Sequence, residues 1–136
     1  MAKSFEDLRA FQRALDLMVD VYAATETFPR AELFGMTSQL RRASAGVARD
    51  IAEGQGRLTY GEWRDMLSRA RGSLYEVEAS IIASTRLGFL APSVAEHLRK
   101  QARLAGRELA GLITWVRRRE SDHRRPRVKP QATGNR

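Results

Sequence analysis

The stretch "QLRRASAGVARDIAEG", residues 39–54, decides the fold. Seven of its sixteen residues are Ala, Gly or Ser, and the charges fall between them. At about 100° per residue, Leu40, Ser44, Val47 and Ile51 share one face, and Arg42, Ala45, Gly46, Arg49, Ala52 and Glu53 share the other. The apolar spacing predicts a helix, but its second face is not that of an ordinary solvated helix. Such a face favours Lys, Glu, Gln or Arg, and a Gly in mid-helix costs about 1 kcal/mol against Ala. Small residues there fit the close approach of another backbone.

The same periodicity extends in both directions. Upstream, "SFEDLRAFQRALDLMVDVYAATETF" has Ser4 three residues ahead of Asp7, a capping-box pattern, then Leu8, Phe11, Leu15, Met18 and Tyr22 as an apolar stripe. Pro29 ends that helix, because proline has no amide hydrogen and crowds the preceding turn. "PRAELFGM" then offers Leu33, Phe34 and Met36 as a plug for the bundle end, with Thr37 as the cap of the second helix and Gly54 and Gly56 as its stop. Downstream, Thr59 and Glu62 form another capping box. A stripe of Trp63, Leu67, Ala70, Leu74, Val77 and Ile81 follows, and Gly88 ends the third helix. Ser93 caps the fourth, whose stripe is Val94, Leu98, Ala102, Ala105, Leu109, Leu112 and Val116. No segment alternates as a strand does. Four amphipathic helices on short loops predict an all-α, antiparallel up-down four-helix bundle over residues 1–119. "ESDHRRPRVKPQATGNR", residues 120–136, has two prolines and no periodicity, and reads as a basic disordered tail.

Helix three repeats the small-residue pattern: Ser68, Gly72, Ala79 and Ala83 lie roughly opposite its apolar stripe. We therefore expect Arg42, Gly46, Arg49, Glu53, Ser68, Gly72 and Ala79 to line a second buried face, closed by a neighbouring copy in a homo-oligomer. Close packing inside one bundle is the other reading of the same residues.

Composition narrows the function. The chain has 136 residues and no Cys, which removes disulfides, thiolate metal sites and a cysteine nucleophile. Neither a charged leader with an apolar run nor an apolar stretch of about 18 residues is present, so we expect a cytoplasmic protein with no membrane partner. Residues 1–96 hold 12 Lys or Arg against 13 Asp or Glu, whereas residues 97–136 hold 12 against 3. All of the excess charge lies at the C-terminal end. Arg99, Lys100, Arg103, Arg107, Arg117 and Arg118 project as a basic ridge away from the stripe of helix four, interrupted mainly by Glu96 at its start and running into Arg119, Arg124, Arg125, Arg127 and Lys129. Clustered cations of this kind gain by releasing counterions from phosphates, and arginine forks hold phosphates in two-point contacts. The ordinary alternatives are a solvated helix face and a basic tail that aids solubility.

Base-reading signatures are missing, so contact with RNA or DNA is expected to be mainly sequence-independent. Tyr60, Trp63 and Tyr75 are expected in the core, while Trp115, off the main stripe, is left as either an edge cover or a base contact. Catalysis finds no support. "ESDH" at 120–123 matches the Glu-x-x-His element of di-metal bundles, but it stands alone and the only other His is His97, so we expect no metal and no cofactor. There is no Gly-rich phosphate loop and no nucleophile elbow. The two functions that remain are a nucleic-acid-binding accessory protein and a scaffold that docks an acidic protein.

At this point the residues carry a resemblance. "FEDLRAFQRALDL", the later "FP", "ELFG", "QLRRASAGVARDIAEG", and "GSLYEVEASI" before "LGFL" resemble, in order, the bacterial four-helix-bundle family encoded in intervening sequences of large-subunit ribosomal RNA genes. That family is similar to the accessory variability protein of diversity-generating retroelements. The resemblance implies a homopentameric barrel and, in the retroelement relatives, binding to nucleic acid and to a reverse transcriptase. Its motifs fall on Gln39, Leu40, Arg42 and Ala43, on Ile51 to Gly54, and on Gly72, Ser73 and Glu76. Arg49–Asp50 stands where the family commonly shows a small residue and Asn, and the basic tail is longer than the family's.

Overall fold

A computed structural model describes residues 4–124. It has four helices: α1 (Arg9–Thr25), α2 (Met36–Gln55), α3 (Tyr60–Arg86) and α4 (Pro92–Arg124). α1 and α3 each pack against both α2 and α4, and neither diagonal pair of helices comes together backbone to backbone. With its short connections this is the expected all-α four-helix bundle, and no strand occurs among the described residues. Nor is any described helix long and apolar enough to cross a membrane.

Sequence periodicity places α1 correctly but turns it by about one residue. Leu8, Phe11, Leu15 and Met18 are only half-buried and Tyr22 is exposed, whereas Ala10, Ala14, Leu17 and Val21 form the deepest line. A stripe chosen for side-chain size passes over the two alanines, although both are buried. Ser4 caps a 3₁₀ turn, Phe5–Asp7, ahead of α1: its Oγ accepts from the Glu6 amide at 3.2 Å.

The end of the bundle beyond α1 is sealed by Phe28, which packs against Phe89 at 5.6 Å, and by buried Leu90. The expected plug is largely outside: Leu33 is exposed, Phe34 is 93% exposed, and only Met36 turns partly inward. A 3₁₀ turn, Arg30–Glu32, carries the loop away from the core. It also brings Glu32 Oε1 to accept from the Met36 amide at 3.2 Å. Glu32 thus supplies the side-chain acceptor expected of Thr37, which is buried inside the first turn of α2.

α3 follows its sequence closely. Thr59 Oγ1 accepts from the Glu62 amide at 3.1 Å, and all six stripe residues are buried. At its far end Gly88 takes φ +81, which an L side chain rarely adopts. The turn closes with Phe89 N donating to Ser84 O and Gly88 N to Thr85 O, a double bond pattern that satisfies the last carbonyls.

α4 runs to Arg124, five residues past the expected boundary at Arg119. The tail reading is therefore wrong for residues 120–124. α4 lies antiparallel to α3, and its last turns have the start of α3 to pack on: Tyr60 and His123 meet at 6.1 Å, Trp63 and Trp115 at 5.6 Å. Glu120 is buried there, accepting from Arg64 at 2.6 Å and from Arg124 at 3.0 Å. Apolar periodicity could not reveal an anchor made by a carboxylate. Arg125, Arg127 and Lys129 lie outside the described residues.

Candidate nucleic-acid interface

The face of α4 that points away from its buried line, Ala95, Leu98, Ala102, Ala105, Leu109 and Val116, carries the cations. Arg99, Lys100, Arg103, Arg107, Arg117, Arg118, Arg119 and Arg124 are all exposed. Among the described residues only Arg124 of this set pairs with a carboxylate, Glu120. The other ion pairs of the described residues join Arg41 to Glu26, Arg57 to Glu53, and Arg64 to Asp65 and Glu120, while His97 hydrogen-bonds Asp20 across α1 and α4. Guanidinium groups that lack a carboxylate partner on one side of a helix present a positive field to an outside anion, reduced at the start of α4 by exposed Glu96.

The ridge is nevertheless two clusters. Between Arg107 and Arg117 the same face shows Ala110, Gly111 and Thr114, an uncharged interval of about 15 Å at the rise of an α-helix. A groove between α3 and α4, with a cavity volume of about 390 Å³, runs beside that interval from Arg103 to Arg117. Arg103 and Arg117 line it from α4, Arg71 and Tyr75 from α3. Gly106 lines it as well, and a Cβ there would make only an ordinary contact, 3.4 Å from Leu74 Cδ2. Tyr75, expected in the core, is 59% exposed, and the Arg71 guanidinium lies 5.8 Å from its ring centroid.

Tyr75 and Arg71 line this groove although neither belongs to the basic ridge expected from the sequence. The signal was present: one position beyond Leu74, Tyr75 projects well away from the Trp63–Ile81 stripe and toward Gly72. Trp115 resolves as a cover for the bundle end. It packs edge-on against Trp63 and carries the Arg119 guanidinium 4.7 Å from its ring centroid. Tyr60 is half-buried beside both tryptophans, and Trp63 is buried.

The small-residue face divides. Gly46 is buried within the chain, where a Cβ would lie 3.4 Å from Ser73 Oγ and from Arg49 Nη2. It is an intrachain packing position for α2 on α3, which corrects its place in the expected subunit face. Arg42, Arg49, Glu53, Ser68, Gly72 and Ala79 are exposed, and a Cβ on Gly72 would meet nothing within 4 Å. Glu53 pairs with Arg57 at 3.6 Å. Asp50 is buried, and that burial pushes its carboxyl above the usual carboxylate range. Arg69 and then Arg49 oppose the rise, and Glu53 adds to it.

Glu120 of the "ESDH" match is held by Arg64 and Arg124, and no group of three metal-ligating side chains occurs among the described residues. Ser44, within the basic "RRAS" run, is fully buried and donates to Arg41 O at 3.1 Å.

No curated protein matches the chain. Among solved structures, a protein of unknown function from Bacteroides thetaiotaomicron, described as belonging to the S23 ribosomal protein family, shares the fold. It matches with a TM-score of 0.68 and 16% identity, over 76% of this chain and 97% of that one. A family model for the 23S rRNA-intervening sequence protein matches residues 6–111, the greater part of the bundle, and the chain belongs to that family.

Proposed function

We propose that the protein is a non-enzymatic, cytoplasmic accessory protein that binds the backbone of RNA or DNA through the exposed face of α4 and the basic residues beyond it. One observation supports this reading above the others. Seven cations of α4 stand exposed without a carboxylate partner among the described residues, while the acids and bases of the rest of the bundle largely cancel. Phosphate binding by such a face needs no base-reading element and is largely indifferent to sequence.

Assembly into a homo-oligomer, a pentamer by the resemblance noted above, belongs to the same proposal. The open line of Ser68, Gly72 and Ala79 supports it, because small side chains facing outward let a second backbone come close. A ring would repeat the cationic face and raise avidity through effective concentration. A reverse transcriptase is the protein partner that the same resemblance brings into the proposal.

The test is a salt series of affinities for a single-stranded RNA and a duplex DNA. Full-length protein is compared with a variant ending at Arg124 and with an Arg99→Ser, Arg103→Ser, Arg107→Ser variant. The cut falls after Arg124 because α4 needs Glu120. Log affinity should fall steeply with log salt, and each variant should flatten the slope by up to about 0.9 per lost phosphate contact on duplex. Absence of binding at low salt would sink the proposal and turn the cationic face into a docking surface for an acidic protein.

A further inference from the structure

The groove between α3 and α4 has a chemistry that phosphate contact alone does not use. Tyr75 stands largely exposed at its edge, although tyrosine ordinarily gains by burying its ring. Arg71, one turn before it on α3, lies over the ring at 5.8 Å. Arg103 and Arg117 approach from α4 at either end, and the floor between them is made of Leu74, Gly106 and Ala110. An apolar floor, an aromatic edge and three arginines lining one cavity of about 390 Å³ match a nucleotide: a planar base against the ring, with phosphates on either side. Glu78 also lines the groove and works against an anion there.

We propose that this groove takes one unpaired nucleotide of a single-stranded RNA or DNA, its base stacked on Tyr75 and the flanking phosphates held by Arg71, Arg103 and Arg117. This rests on the backbone-binding function above and adds a preference to it. A paired base is stacked within its duplex and cannot reach Tyr75, so the groove selects single strands over duplex where the α4 ridge alone does not. It also explains why the cationic face breaks into two clusters. The uncharged interval accommodates the base, and the clusters on either side accommodate the chain entering and leaving. Gly72 and Ala79 project to the side of Tyr75 away from α4, whereas Ser68, seven residues before Tyr75, lies nearly in line with it; a second copy seated on Gly72 and Ala79 leaves the groove's α4 wall uncovered.

The experiment measures affinities of the full chain for a short oligouridine and for a mixed-sequence duplex at low salt, with Tyr75→Ala, Tyr75→Phe and Glu78→Gln beside the wild type. Native mass spectrometry of each variant accompanies the measurements. Tyr75→Ala should lose about tenfold on oligouridine, the scale of one stacked base, with duplex affinity unchanged. Tyr75→Phe should stay within about twofold of wild type, because the ring is what stacks, and Glu78→Gln should bind slightly tighter by removing a like charge from the phosphates. Wild-type binding to both probes with no effect of Tyr75→Ala would overturn the groove and leave the backbone reading standing. Equal loss on both probes would likewise overturn it. Failure of the wild type to bind either probe removes both readings. A changed assembly mass in Tyr75→Ala would overturn the proposal by assigning the tyrosine to a contact between copies.

Discussion

α3 meets its two neighbours in opposite ways. Against α2 the contact is closed: Gly46 sits under Ser73, and Gly54 sits under the Trp63 ring so tightly that a Cβ would come within 2.6 Å of Cδ1. Against α4 the contact opens between Arg103 and Arg117 into a groove, with Tyr75 left on its rim. Small residues occur on both sides, at Gly46 and Gly54 and at Gly106 and Ala110. Their effect depends on what stands opposite. A glycine facing a large ring draws two helices together, whereas small residues beside a tyrosine that points outward leave a hollow. A stripe of small side chains in a sequence therefore announces a close approach or a cavity, and only the partner side chain decides between them.

The largest expected effect breaks the closed side. Gly54→Val would put its branched side chain into the Trp63 ring, which is buried and has no flexible end to move aside. Overpacking of this kind costs about 3 kcal/mol, and the β-branched residue adds a smaller helix penalty. Urea unfolding should show a lower midpoint with an unchanged slope. A midpoint equal to wild type would mean that α2 and α3 are less tightly joined than this contact requires.

A smaller effect of opposite sign sharpens the contrast on the outer face of α3. Gly72 has open space where its Cβ would be, so Gly72→Ala should stabilise the protomer by about 1 kcal/mol through helix propensity alone. The same unfolding measurement reads it. Gly72→Leu, in native mass spectrometry, separates a free surface from one covered by another copy: a retained assembly mass would leave Gly72 without a role between subunits.

The architecture was legible in the sequence because it rests on period and punctuation. Thr59 with Glu62 marked the start of α3, Gly88 marked its end, and the six-residue stripe between them is buried throughout. What failed did so for identifiable reasons. A stripe drawn through the largest side chains of α1 passes over Ala10 and Ala14, which are buried more deeply. The end of α4 was placed at Arg119 because Glu120, the residue that holds the next turn, is charged. Tyr75 was assigned to the core by residue type against its own helical angle. Gly46 was assigned outward by its angle on α2, which says nothing of how near α3 lies. The cations of α4 were read correctly as exposed, but the interval between Arg107 and Arg117 acquires meaning only with α3 beside it.

The smallest predicted effect concerns the one buried acid at the closed contact. Asp50 is buried on α2, and its carboxyl is held above the usual range by that burial, against the pull of Arg69 and Arg49. A carboxyl whose folded value is raised favours the folded state when protonated and weakens it when ionised. This contribution is therefore lost as pH climbs from the unfolded value through the raised one, and it returns on acidification. Asp50→Asn removes the charge with little change of shape. Its melting temperature at neutral pH should exceed that of wild type by a stability increment under about 1 kcal/mol, and the difference should shrink as the solution is acidified toward pH 4. A lower melting temperature at neutral pH would mean that attraction to Arg69 and Arg49 outweighs desolvation. The α2–α3 contact would then be held by charge as well as by the fit of glycine to ring.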